Sequence, residues 1–156
     1  MKEYIRALLL HTQETPAAGL MVALEKQLIG AERVYTCKQA ADRLAGPNPP
    51  HLVFTDTELP DGNWSDILDL ADRASQPINV VVVSPTADIP LYIDVMERRA
   101  FDFITQSFTA PELTHILRCA VDNVVRRREE RNRIPATQLG CVVRPINGRK
   151  EDLIQL

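Results

Sequence analysis

The sequence has few of the residues that build disulfide scaffolds or simple zinc sites. Its 156 residues include 3 cysteines, Cys37, Cys119 and Cys141, with no Cys-x-x-Cys pair and no histidine directly beside any of them. An odd number of widely spaced cysteines argues against a disulfide framework. We therefore expect buried thiols in a reducing compartment, and no zinc site.

Long apolar runs are also missing. No run approaches the roughly 20 apolar residues that a membrane-spanning helix needs, and the N-terminus lacks the charged and apolar segments of a signal peptide. Hydrophobic residues make up 45% of the chain and charged residues 25%, which is ordinary for a soluble domain. We expect a cytoplasmic protein without a membrane partner, built on one domain large enough to bury its own core.

Aromatic residues are scarce, at 5% of the chain, and basic residues do not interleave with them. A stacking platform for single-stranded nucleic acid needs both features, so we do not expect one. Basic residues instead concentrate late in the chain: acidic residues outnumber them up to position 117, and basic residues predominate from 118 to 150. This asymmetry indicates either a solvated helix end or a surface for an acidic partner.

Five apolar, strand-like runs alternate with five amphipathic segments. The predicted strands are residues 4–10, 31–37, 51–55, 78–83 and 100–105. The predicted helices are residues 16–29, 38–45, 64–74, 89–99 and 110–125. Such alternation requires right-handed crossovers and a parallel sheet with helices on both faces. We predict an α/β fold with a doubly wound five-stranded parallel sheet in the order 2-1-3-4-5, as in flavodoxin-like proteins.

Helix-end signals support two of these boundaries. Thr15 followed by Pro16 predicts a cap and a first helical residue, with Gly30 ending that helix. Thr109 and Glu112 have the spacing of a capping box. We assign residues 1–125 to the domain, and residues 126–156 to an extension of the fifth helix and a tail that forms either a hairpin or a linker.

The strand order places function at the carboxyl ends of the first and third strands, where the order reverses. His11 and Thr12 follow the first strand, and Asp56 stands at the end of the third. A carboxylate at a strand end can act as a nucleophile or a metal ligand. Ser84 lies at the end of the fourth strand, and the segment from Phe103 to Phe108 closes the fifth.

In these residues the sequence resembles the receiver domain of bacterial two-component response regulators, over nearly all of residues 4–125. The matching positions are Asp56, Pro60, Gly62, Ser84, Ala100, Asp102 and Phe103. The resemblance implies a phosphorelay module in which a histidine kinase phosphorylates Asp56, and Ser84 and Phe103 shift to report it. It implies a signalling domain and not a turnover enzyme.

The sequence departs from the receiver pattern at two places. Receivers carry an acidic pair after the first strand that holds magnesium, and here those positions are His11 and Thr12. They carry Lys-Pro after the fifth strand, and here Gln106 replaces the lysine and Ser107 the proline. Magnesium favours carboxylates, and glutamine lacks the charge of lysine. Since phosphoryl transfer depends on positioning and charge neutralisation, these changes imply impaired or absent phosphorylation and a doubtful Mg²⁺ site.

The roles of individual side chains stay open at this level. Glu58 or Glu14 could supply a substitute carboxylate, which makes Asp56 with Glu58 a weak metal site. Otherwise Asp56 is a remnant whose charge is balanced by solvent or loop amides. His11 could ligate a metal, accept a phosphoryl group or be an ordinary polar loop residue. We expect His51 and His115 to be structural.

Three classes of function compete. The favoured one is a protein-interaction switch that binds a histidine kinase or another signalling protein and dimerises through its fourth helix, fifth strand and fifth helix. Its alternative is an ordinary phosphoaccepting receiver. A flavodoxin-type electron carrier would share the topology, but the segment from His11 to Pro16 has no glycine for a phosphate loop. A DNA-binding regulator would need an output domain, because residues 126–156 are too few for a helix-turn-helix unit.

Overall fold

The computed structural model describes residues 4–11 and 14–133. Thr12 and the hairpin predicted for the tail lie outside these residues. The strands are β1 (Arg6–Leu10), β2 (Gly30–Val34), β3 (Leu52–Asp56), β4 (Glu58–Leu59), β5 (Gly62–Asn63), β6 (Asn79–Ser84) and β7 (Asp102–Thr105). The helices are α1 (Glu14–Lys26), α2 (Cys37–Leu44), α3 (Trp64–Asp72), α4 (Ile89–Glu97) and α5 (Ala110–Arg133).

The five long strands form one parallel sheet in the order β2-β1-β3-β6-β7. The predicted order 2-1-3-4-5 is thereby confirmed, because β6 and β7 are the fourth and fifth long strands. β4 and β5 form a separate two-stranded hairpin, which is not among the strands predicted from the sequence.

The central strands are buried along their whole length, and this explains their unbroken apolar sequences. All residues of β3 and β6 are buried, as expected for parallel strands covered on both faces. On β1, Leu8 and Leu10 belong to one core cluster, whereas Ala7 and Leu9 belong to the other. The first cluster includes residues of α2, α3 and α4, and the second includes residues of α1 and α5. The sheet therefore separates two apolar cores.

Two predicted helix boundaries differ from the structure around α1. The helix begins at Glu14, so Pro16 lies inside the first turn, where a missing N–H costs no intrahelical hydrogen bond. It ends at Lys26 instead of reaching Gly30, which is the first residue of β2. A Cβ atom at Gly30 would meet the ring of Tyr4, so a larger residue there would displace this exposed side chain.

The capping box predicted at the start of the last helix is present. The backbone N–H of Thr109 donates to Oε1 of Glu112 over 2.8 Å, and the N–H of Glu112 donates to Oγ1 of Thr109 over 3.3 Å. The compact unit that contains the sheet extends to Val125, and residues 126–133 continue α5. Among the described residues, no helix is both long and apolar enough to cross a membrane.

Candidate functional site

Asp56 and His11 meet at the carboxyl edge of the sheet. Leu10 of β1 is the register partner of Thr55 of β3, so the residues that follow them lie side by side. Both are buried, with 5% of His11 and 8% of Asp56 exposed. Nδ1 of the imidazole contacts Oδ1 of the carboxylate directly. The structure therefore brings together two predicted site residues whose relationship the sequence had left open.

This contact assigns the donor nitrogen of His11. A carboxylate oxygen accepts hydrogen bonds, so Nδ1 carries the donated hydrogen. Within the described part of the chain, the other ring nitrogen, Nε2, is buried and has no hydrogen-bond partner. His11 is thus a side-chain partner of Asp56, a role that the sequence analysis did not include among its alternatives for this residue.

Arg33 holds the backbone of His11 from the neighbouring strand. Its Nε and Nη2 atoms donate to the carbonyl oxygen of His11 over 3.1 and 2.9 Å. Its guanidinium carbon also lies 5.0 Å from the centre of the Tyr35 ring. The sequence analysis did not single out Arg33. An arginine within a predicted strand, near the place where the strand order reverses, could have indicated a role at the site. These two hydrogen bonds stabilise the backbone position in which the imidazole of His11 contacts Asp56.

The enclosed space beside this pair is very small. Its volume is about 10 Å³, which is close to the room that one water molecule needs. His11, Thr55 and Asp56 are its polar lining residues, and the remainder are Leu10, Leu20, Phe54, Val83 and Phe108. Phe108 comes from the segment after β7. The described side chains therefore pack closely around the imidazole and the carboxylate, with room for about one water molecule between them.

The predicted switch residues lie at neighbouring strand ends. Ser84 is buried, and its hydroxyl donates to the carbonyl oxygen of Thr86 over 2.7 Å and accepts from the Thr86 N–H over 3.2 Å. The backbone N–H of Gln106 donates to the carbonyl oxygen of Ser84 over 2.9 Å. Phe103 packs edge to face on Tyr92, with ring centres 5.6 Å apart. The Ser84 hydroxyl is thus engaged by its own loop.

Among the described residues, the side chains around Asp56 do not form a set of magnesium ligands. Glu58 is exposed on the β4–β5 hairpin, and one carboxylate oxygen of Asp56 is in contact with an imidazole. Magnesium prefers several oxygen ligands in octahedral geometry. Across residues 4–11 and 14–133, no three histidine, cysteine or acidic side chains converge as a metal site. The weak site of Asp56 with Glu58 remains a prediction without support.

The Pro-Asp-Gly turn after Asp56 has a structural role. Asp61 accepts the backbone N–H groups of Cys37 and Lys38 over 2.7 and 3.1 Å, which caps the start of α2. The hydrogen bond from the Cys37 N–H is the main reason why the pKa of Asp61 lies below its ordinary value. A Cβ atom at Gly62 would lie 2.5 Å from Oδ2 of Asp66 and 2.7 Å from Sγ of Cys37. The turn therefore joins α2, the hairpin and α3 in close contact.

A second surface feature lies along α4, β7 and α5. Ile89, Tyr92 and Ile93 of α4 are large apolar residues that are exposed to solvent. A groove of about 310 Å³ runs between β7 and the start of α5. The residues that line it are Phe103, Ile104, Thr105, Phe108, Glu112, His115 and Ile116. We call this combined surface the α4–β7–α5 face.

Comparison with known proteins decides between the interpretations that share this topology. The family model described as the response regulator receiver domain matches residues 8–118. The chain belongs to this family. It is therefore a receiver domain of the kind found in two-component signal transduction, and the flavodoxin-type interpretation is not needed.

Individual relatives agree with this assignment. The chain is 30% identical over 109 residues to the nitrogen assimilation regulatory protein NtrX of Azorhizobium caulinodans, which covers 69% of this chain and 23% of that protein. The chain thus spans about a quarter of the length of this relative.

Solved structures share the fold. The signal receiver domain of a LuxO repressor protein from Vibrio parahaemolyticus superposes with a TM-score of 0.74 at 19% identity, covering 85% of this chain and 100% of that domain. NtrX from Brucella abortus superposes with a TM-score of 0.72 at 20% identity, covering 83% of this chain and 30% of that one.

Proposed function

We propose that this receiver domain is a protein-interaction switch in which His11 holds Asp56 in place of phosphorylation. The observation that carries the proposal is the buried contact between Nδ1 of His11 and Oδ1 of Asp56. In this proposal the domain is not an enzyme, and its state is set by the proteins that bind it.

Access to the carboxylate supports the proposal. A phosphoryl acceptor must present a free oxygen in line with the donor. Asp56 is only 8% exposed, and one of its oxygens lies against the imidazole. A phosphoryl group that displaced the imidazole from Oδ1 would leave a buried donor on His11 unpaired, at a cost of about 1–3 kcal/mol.

Charge at the site supports it as well. Phosphoryl transfer needs cations that neutralise the equatorial oxygens. The positions that supply a magnesium carboxylate and a lysine in receivers are His11 and Gln106 here. Arg33 is a cation close by, but two of its nitrogens donate to the carbonyl oxygen of His11. The carboxylate and the lysine expected from the resemblance are therefore replaced here, and the nearby Arg33 already donates to a backbone carbonyl.

The α4–β7–α5 face is the proposed interaction surface. It combines exposed apolar side chains of α4 with a groove beside the edge strand β7. We propose that it binds a second copy of the chain, and that a histidine kinase or another signalling protein uses the same face or its surroundings. Nucleic-acid binding would require a separate output domain.

The test is phosphorylation in solution. The purified chain is incubated with a small phosphodonor and Mg²⁺, and its intact mass is followed over time. We expect no stable adduct on the wild-type chain. The variant His11→Asp with Gln106→Lys restores one acidic residue and the lysine, and we expect it to gain an adduct that Asp56→Asn removes.

The wild-type chain is compared with the variant that combines His11→Asp and Gln106→Lys. The gain of an adduct in the restored variant would show that the donor and the assay work on this fold. A stable adduct on the wild-type chain that disappears in Asp56→Asn would overturn the proposal and establish the ordinary phosphoaccepting receiver instead.

A further inference from the structure

Helix α4 is held less firmly by the apolar cores than the other helices are. Among the described residues it contributes one fully buried side chain, Val95, whereas each of the other four helices contributes at least two. Its remaining core contacts come from Leu91 and Met96, which are only partly buried. An element with few buried apolar contacts opens more easily than the centre of a domain. Polar contacts therefore carry more of the work of fixing α4 than they do for its neighbours.

One arginine connects the C-terminal end of α4 to α3. Nη1 of Arg98 donates to Oγ of Ser65, and Nη2 donates to Oδ1 of Asp69 over 2.6 Å. The guanidinium carbon also lies 5.9 Å from the centre of the Trp64 ring. A single guanidinium therefore contacts three residues of α3, and we call this set of contacts the Arg98 latch.

The latch differs from an isolated surface ion pair. The side chains of Arg98 and Asp69 are 40% and 54% exposed, so the ion pair alone would contribute little. Here the same guanidinium also donates to a hydroxyl group and lies near the face of an indole ring. The planar fork of arginine can make these contacts at once, whereas the single ammonium of lysine cannot.

The end of α4 is fixed by its own backbone. The N–H of Arg98 donates to the carbonyl oxygen of Asp94 over 3.1 Å and closes the last turn. Arg99 then has a φ of 69°, in the left-handed region that favours glycine, and its N–H donates to the carbonyl oxygen of Met96 over 3.0 Å. Because this turn joins Arg98 firmly to α4, a movement of α4 carries the guanidinium with it.

The α3 side of the latch is connected to the loop that follows Asp56. The side chain of Asn63, in the β4–β5 hairpin, accepts the N–H of Ser65 over 2.9 Å. The N–H of Trp64 donates to the carbonyl oxygen of Thr57, the residue directly after Asp56, over 3.3 Å. Two of the three α3 residues at the guanidinium are therefore joined by hydrogen bonds to this loop.

We propose that the Arg98 latch holds α4 on α3 and couples the loop after Asp56 to the α4–β7–α5 face. While the latch is closed, α4 keeps the orientation in which its apolar side chains form this face. When the latch opens, α4 moves, because the core holds it through few contacts. Arg98 is thus a positioning residue. The inference rests on the proposed function only for what the face binds, since the latch lies within one chain.

Amide hydrogen exchange of the full-length chain measures how firmly α4 is held. We expect Arg98→Ala to accelerate exchange of the α4 amides about tenfold, because it removes two hydrogen bonds from a charged group. The amides of β3 and β6 should keep their wild-type rates. Arg98→Lys should restore only part of the protection. Arg73→Ala removes an exposed arginine at the end of α3, and it is the matched control that should leave α4 unchanged.

Removing the acceptors tests the latch from the other side. The variant that combines Ser65→Ala with Asp69→Ala should accelerate exchange of α4 as much as Arg98→Ala does. Adding Arg98→Ala to it should cause no further change, because all three substitutions break the same contacts. Unchanged α4 exchange in Arg98→Ala, or equal acceleration in every element of the domain, would overturn the proposal.

The coupling to the loop has its own test. Asn63→Ala removes the side chain that joins the hairpin to α3, and we expect it to accelerate exchange of α4 in the wild-type background. In the Arg98→Ala background the same substitution should leave α4 exchange unchanged. An equal acceleration in both backgrounds would show that the loop does not act through Arg98.

The result is separable from the proposed function. Exchange of α4 is measured at concentrations where sedimentation shows a monomer, so it does not depend on any partner. If the wild-type chain stays monomeric at every concentration, faster α4 exchange in Arg98→Ala still supports the latch. If the chain dimerises and Arg98→Ala leaves both the dimer fraction and α4 exchange unchanged, the interaction face remains and the latch is excluded.

Discussion

His11 and Asp56 are 45 positions apart in the sequence and in direct side-chain contact at the ends of adjacent parallel strands. His11 stands where the resemblance to receiver domains implies an acidic residue. Arg33 keeps the backbone of His11 in position through two hydrogen bonds. This arrangement affects the stability of the domain and its binding of metal ions.

The energetic coupling between His11 and Asp56 should be large. Asp56→Ala leaves the Nδ1 donor of His11 buried without its acceptor, and we expect a loss of about 1–3 kcal/mol in the free energy of unfolding. His11→Ala leaves a buried carboxylate without this donor. The double variant should cost less than the sum of the two, with a coupling of about 0.5–3 kcal/mol in urea unfolding. The pair His115→Ala and Asp56→Ala is the control, and it should be additive. Additivity for His11 and Asp56 as well would mean that the contact contributes nothing.

Magnesium should have little effect on the wild-type chain. Trp64 begins α3 directly after the hairpin that follows Asp56, so its fluorescence reports on this loop. We expect no saturable change on titration with Mg²⁺, because no second carboxylate joins Asp56 among the residues that the structure describes. His11→Asp supplies a carboxylate and should introduce a response. Saturation of the wild-type signal at low millimolar Mg²⁺ would instead show that Glu58 or Glu14 completes a site.

Gly62→Ala should destabilise the domain. The added Cβ atom would lie well inside contact distance of Asp66 and Cys37, and such overpacking costs about 1–3 kcal/mol. Gly46→Ala is the matched control, since no atom lies within 4 Å of a Cβ built there. We expect thermal unfolding to show a lower midpoint for the Gly62 variant only. Equal midpoints would indicate that the turn moves aside without cost.

The thiol of Cys37 should react slowly. Burial, followed by the charge of Asp61, raises its pKa from 9.0 to about 11. The thiolate is the reactive form, so alkylation should stay slow at pH 8 and increase only as the pH approaches 11. Asp61→Asn should accelerate it by removing a negative charge and an acceptor. Peptide mapping after iodoacetamide treatment measures the rate, with the exposed Cys119 as the internal reference. Faster alkylation of Cys37 than of Cys119 at pH 8 would contradict a raised pKa of the Cys37 thiol.

Association should depend on α4. Ile93 of α4 is 49% exposed and Val22 of α1 is 50% exposed, which makes them a matched pair for substitution. Ile93→Asp should lower the dimer fraction in sedimentation at micromolar concentrations, because it places a charge on the α4–β7–α5 face. Val22→Asp should leave the fraction unchanged. The opposite pattern would move the interface to α1, and a wild-type chain that stays monomeric would exclude the dimer.

Local patterns in the sequence were sufficient to predict the fold class and the strand order. The alternation of apolar runs with amphipathic segments leaves few ways to cover both faces of a parallel sheet, and the right-handed crossover removes most of these. The capping box of Thr109 and Glu112 was equally accessible, because both partners lie within one helical turn. The prediction that Gly30 ends the first helix was wrong, since α1 ends at Lys26 and Gly30 begins β2.

The sequence by itself determined the fold class, the edge of the sheet where the site lies and the presence of histidine, not an acidic residue, at position 11. Only the tertiary structure decided what His11 does there. The contact with Asp56 depends on the register that sets Leu10 opposite Thr55. A slip of one residue would turn every side chain of β1 to the other face of the sheet. That register results from the packing of both apolar cores at once, and neither strand specifies it alone.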